Sequence, residues 1–65
     1  MAEFYKMFSV KDKNKEEINN YLKTTGVWPG FSDDGRLVIH DVDEENLNNV
    51  ANKLINDFKL EEIKG

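Results

Sequence analysis

The groups in this chain that could break or transfer a bond are few. They are one imidazole, His40, the hydroxyls of Ser9, Thr24, Thr25, Ser32 and two tyrosines, and no cysteine thiol. Acyl or glycosyl transfer through a serine or threonine needs a base within hydrogen-bond reach and a third group to orient it. Thr24 and Thr25 stand where a helix should end, and Ser32 opens a turn, so their spacing from His40 suggests no such set. The carboxylate run Asp41–Val42–Asp43–Glu44–Glu45 invites a divalent-cation reading. It lacks the glycine and the distal bidentate glutamate of a calcium loop, and a helix N-terminus accounts for it better. The glycines form no phosphate-cradling motif, and the lysine cluster Lys11–Asp12–Lys13–Asn14–Lys15 reads as a solvated loop. The expectation is therefore a protein that is not an enzyme, with no cofactor and no metal. His40 is then a surface residue whose protonation near about pH 6–7 could tune an interface.

The remaining chemistry is that of recognition. Trp28, Pro29 and Phe31 fall within four residues, and Trp28 is the sole tryptophan, a residue type enriched among binding hot spots. The formal charge is −4 and is unevenly spread: residues 1–26 carry five lysines against four acids, residues 27–65 four cations against nine acids. An acidic chain does not attract phosphate backbones, so direct nucleic-acid binding is disfavoured.

What positions these residues follows from period and caps. Residues 3–10 are aromatic-rich and read as a strand. Asn14 is placed to cap a helix with Glu17 three residues on. Ile18, Tyr21 and Leu22 then share a helical face, and Gly26 suits the stop. Ser32–Asp33–Asp34–Gly35 between two apolar runs predicts a three-residue hairpin loop, with Gly35 in the left-handed position. That register sets Phe31 opposite Leu37 and Trp28 opposite His40. Asp43 caps a second helix whose Leu47, Val50, Ala51, Leu54 and Phe58 repeat at helical spacing. The tail, residues 59–64, reads as a short edge strand using Leu60 or Ile63, or else as more helix.

The order β-α-β-β-α-β in a single domain, residues 1–65, predicts a ferredoxin-like α+β two-layer sandwich, with two helices on one face of an antiparallel sheet in strand order 4-1-3-2. A three-stranded βαββα domain is the alternative if the tail stays helical. Pro29 fits an edge strand, because it has no N–H to give to a ladder. Alternation puts Leu37, Ile39 and Phe31 beneath the helices, and Trp28, Val38 and His40 on the bare side. Keeping Lys6 out of the core adds Phe4 and Phe8 to that bare patch, with Tyr5 and Met7 inside.

At 65 residues without disulfides, the core supplies roughly 3–5 kcal/mol at most, so association with another chain is an attractive source of stability. The expected function is a small acidic interaction or regulatory module. It would act through Trp28, Val38, His40, Phe4 and Phe8 on a protein partner or on itself as a homodimer. A second reading is a small inhibitor of the type carried by phages and mobile elements. Its acidic surface (Asp33, Asp34, Asp41, Asp43, Glu44, Glu45) would dock on a basic, nucleic-acid-binding site of a target. A third is an accessory subunit that binds a small molecule. No segment reaches the roughly 18 apolar residues of a membrane span, no signal peptide is evident, and a cytoplasmic location is expected.

Overall fold

The computed structural model describes residues 3–64. Four strands and two helices follow in the order β1 (Phe4–Ser9), α1 (Lys15–Leu22), β2 (Trp28–Phe31), β3 (Arg36–Asp41), α2 (Glu44–Asn56) and β4 (Glu61–Ile63). They form one antiparallel sheet in the order β2-β3-β1-β4. This is the βαββαβ, ferredoxin-like two-layer arrangement.

Local chemistry starts and stops these elements as the sequence predicts. The Asn14 side chain accepts the Glu17 N–H at 3.1 Å. Asp43 accepts the N–H groups of Glu45 and Asn46 at 3.1 and 3.3 Å, satisfying donors that the first turn of α2 leaves orphaned. After Leu22 the backbone tightens, with Thr24 and Thr25 N–H donating to Tyr21 and Leu22 C=O, and Gly26 then turns out at φ +87°. In the β2–β3 loop Gly35 takes φ +84°, Ser32 N–H donates to Arg36 C=O at 2.9 Å, and Gly35 N–H donates to Ser32 C=O at 3.3 Å.

The core lies on one side of the sheet. Phe8, Leu37 and Ile39 from the strands join Ile18 and Leu22 of α1 and Leu47, Val50, Ala51 and Leu54 of α2 in one buried cluster. Val10, Val27 and Leu60, each one residue outside a strand, complete it. Tyr21 and Phe58 pack at its rim, with ring centroids 5.3 Å apart. Burial there raises the Tyr21 phenol above its ordinary pKa, only partly offset by nearby Lys53.

One strand turns the opposite way from the expectation. Phe8 is fully buried and Phe4 packs against the core, whereas Tyr5 is 67% exposed on the bare side. Phe4 and Phe8 therefore do not belong to the outer patch; Tyr5 and Met7 take their places. The reason is Lys6. It shares the inner side with Phe8, yet its ammonium emerges at the rim and meets the Glu62 carboxylate at 3.6 Å. Its aliphatic stem can line apolar surface while the head stays wet, so an inward-facing Lys here costs little. Phe31 shares the inner side with Leu37 but stays at the exposed rim of edge strand β2.

Candidate interaction surface

Pairing register defines what the uncovered side displays. Residues opposite one another across a sheet project from the same face, so the outer side is built in transverse rows. Trp28, His40 and Tyr5 make one row, and Gly30, Val38, Met7 and Ile63 the next. Arg36, Ser9 and Glu61 make a third. The buried faces of both helices belong to the opposite side, so none of these residues is roofed over. The structure thus brings together three of the five expected face residues, Trp28, Val38 and His40, and adds Tyr5, Met7 and Ile63.

Trp28 is 62% exposed. Its ring meets the His40 imidazole edge-on, centroids 5.3 Å apart at 72°, a favoured geometry for aromatic pairs. His40 Nδ1 lies 3.6 Å from a Glu3 carboxylate oxygen, an ion pair whenever the imidazole is protonated. A small hollow of about 90 Å³ beside Trp28 is lined by Glu3, Gly26, His40, Asp41 and Val42. That is well below the ~300 Å³ at which small-molecule sites begin. At the other side of the sheet, β4 pairs only with Met7–Ser9. Where it ends, an open recess of about 410 Å³ is lined by Tyr5, Lys6, Met7, Glu62, Ile63 and Lys64.

The acidic residues do not converge. Asp33 and Asp34 sit in the β2–β3 turn, beyond one end of β3, and Asp41–Glu45 at the other, about 17 Å away at ~3.3 Å per strand residue. Three of the six have structural work. Asp34 accepts from the Ser32 hydroxyl and pairs with Arg36 at 3.4 Å, and the Ser32 bond holds its carboxyl below the usual aspartate range. Asp41 accepts from Asn46 Nδ2 at 2.8 Å and from the Asp43 N–H at 3.1 Å, and these bonds lower its pKa. Asp43 is the α2 cap.

Asn46 is the residue that sequence reasoning passed over. Its side-chain amide donates both to Asp41 and, at 3.0 Å, to the Thr25 carbonyl. One side chain thereby ties α2 to the end of β3 and to the loop that delivers Trp28. Among the seven asparagines inside the two helices, only its position three residues after an Asp N-cap distinguished it.

Fold and surface together define a small two-layer α+β domain with an unroofed, partly aromatic sheet face. No protein-family model, curated protein or solved structure matches the chain.

Proposed function

We propose that this chain is a non-enzymatic protein-interaction module that binds through the bare side of its sheet. The observation that carries the reading is the contiguous pair of rows Trp28–His40–Tyr5 and Val38–Met7–Ile63 on a side that neither helix covers. Contiguous apolar surface of this kind marks interaction sites, and its tryptophan, tyrosine and methionine are the residue types that interfaces favour. The non-enzymatic part is supported by where the reactive groups are spent. His40 is engaged with Trp28 and Glu3, and the Thr24, Thr25 and Ser32 hydroxyls bond to turn backbone or to Asp34. No helix among the described residues is long and apolar enough to cross a membrane. Together with the lack of cysteine, that favours a cytoplasmic setting.

The test is partner capture from the source cell with wild-type bait and two variants. Val38→Glu puts a charge in the middle of the face and should abolish capture, while Asp33→Asn with Asp34→Asn in the distant turn should leave it intact. Capture that survives Val38→Glu and fails with the turn variant would transfer the activity to the acidic turn.

A further inference from the structure

Gly30 has no evident duty in its own chain. It lies inside β2, in unbroken register between Trp28↔His40 and Phe31↔Leu37, so it marks no bulge. It is not one of the glycines held at positive φ, Gly26 and Gly35. A Cβ placed on it would meet nothing nearer than the Val38 carbonyl oxygen at 3.9 Å. A glycine in a strand interior weakens the strand, and with bulge and bend absent the remaining use is close approach from outside.

The outer side shows what could approach. Gly30 is a notch at one end of its row, and Ile63 a half-buried apolar side chain at the other. One row over, Trp28 stands proud at the β2 end, and the recess beyond Ile63 lies at the β4 end. Resting on the reading of this face as a binding surface, we propose that its occupant is a second copy of this chain. The two copies are related by a two-fold axis running along the strands between β1 and β3. That rotation exchanges left for right within every row. Ile63 of each copy enters the Gly30 notch of the other, Val38 covers Met7, and Trp28 enters the recess beside Tyr5. Arg36, which also pairs with Asp34 of its own chain, comes one strand over from Glu61 of the other copy. The other in-plane two-fold, across the strands, sets notch against notch and Arg36 over His40, and is disfavoured on both counts.

The face spans four strands about 4.8 Å apart and up to six residues at about 3.3 Å each, a footprint of ~400 Å² per copy. The two copies together bury ~800 Å², below the ~1,200 Å² at which stable specific interfaces begin, which sets a weak dimer, micromolar or weaker.

Sedimentation between about 10 μM and about 1 mM chain, the range such an interface implies, tests this with Gly30→Val, Ile63→Ala and the double variant. Wild type is expected to pass from monomer to dimer. Gly30→Val fills the notch and should weaken the dimer at least tenfold while thermal unfolding stays where it was or rises. Ile63→Ala alone should also weaken it, and the double variant, which trades the large and small partners, should regain most of the loss. A dimer indifferent to Gly30→Val, or singles that weaken it with no recovery in the double, overturns this pairing. A wild-type chain still monomeric at the top of the range overturns self-association altogether. If Val38→Glu nevertheless abolishes capture of a different protein, the interaction face stands and only its assignment to a second copy falls.

Discussion

Individual side chains divide into those that hold the domain and those it can lose. Trp28 belongs to the second group: most of its surface is in water, so Trp28→Ala should shift thermal unfolding by only a few degrees. Its fluorescence gives a direct readout of the neighbouring ring. His40→Gln removes that edge-on ring and should change the indole emission. Asn46 belongs to the first group. Asn46→Ala removes the bond to the Thr25 carbonyl, worth about 1 kcal/mol, and should loosen the loop carrying Trp28. It should also raise the Asp41 pKa, since the Asn46 amide is the main cause of its depression. A folded-state pKa below the unfolded value contributes stability above about pH 4 that fades as pH falls through the folded value. Without Asn46 the Asp41 contribution to that acid limb shrinks, and carboxyl-carbon NMR titration of wild type and variant should display it.

Among the elements, those with a start and a stop written in side chains were legible: Asn14 and Asp43 as caps, and the Ser32–Gly35 turn that fixed the hairpin register. Asp43→Ala should cost about 1 kcal/mol by denaturant unfolding, the usual worth of an N-cap. The tail was hard to read because the residue that turns it is not a glycine. Lys59 holds φ 59°, and Leu60 N–H reaches back to the Leu54 carbonyl at 3.1 Å, ending α2 and starting β4. A left-handed non-glycine costs roughly 1–2 kcal/mol, so Lys59→Gly should raise the unfolding midpoint. The orientation of β1 was misread for a different reason. Alternation alone cannot say which of two aromatic-bearing faces goes inward, and the deciding fact, a carboxylate from β4 waiting for Lys6, is a tertiary one.

For the whole molecule, size and charge decide. Twelve side chains make the buried core among the described residues, and Phe8 is among the largest of those fully enclosed. Phe8→Ala should cost about 3–5 kcal/mol, comparable to everything a domain this small has, so circular dichroism should find the variant unfolded at room temperature. Net charge acts in the other direction. Two copies at −4 each repel at long range, while an exposed Arg36–Glu61 attraction between them is worth at most about 1 kcal/mol. Self-association should therefore tighten as added salt screens the repulsion. Docking of an acidic surface on a basic target would weaken instead, so the salt response separates the two modes.

Pro29 adds a final restriction. Counting from the Ser32–Arg36 bond, the alternation of an antiparallel ladder turns the backbone of residues 29 and 31 outward along the free margin of β2. Proline has no hydrogen to offer there, which leaves the Phe31 N–H as that margin's lone outward donor. A newcomer strand would find two carbonyl acceptors but a single donor along this side. The proposed face-to-face pairing closes after two chains, and lateral growth from β2 into ribbons goes one hydrogen bond short at every Pro29.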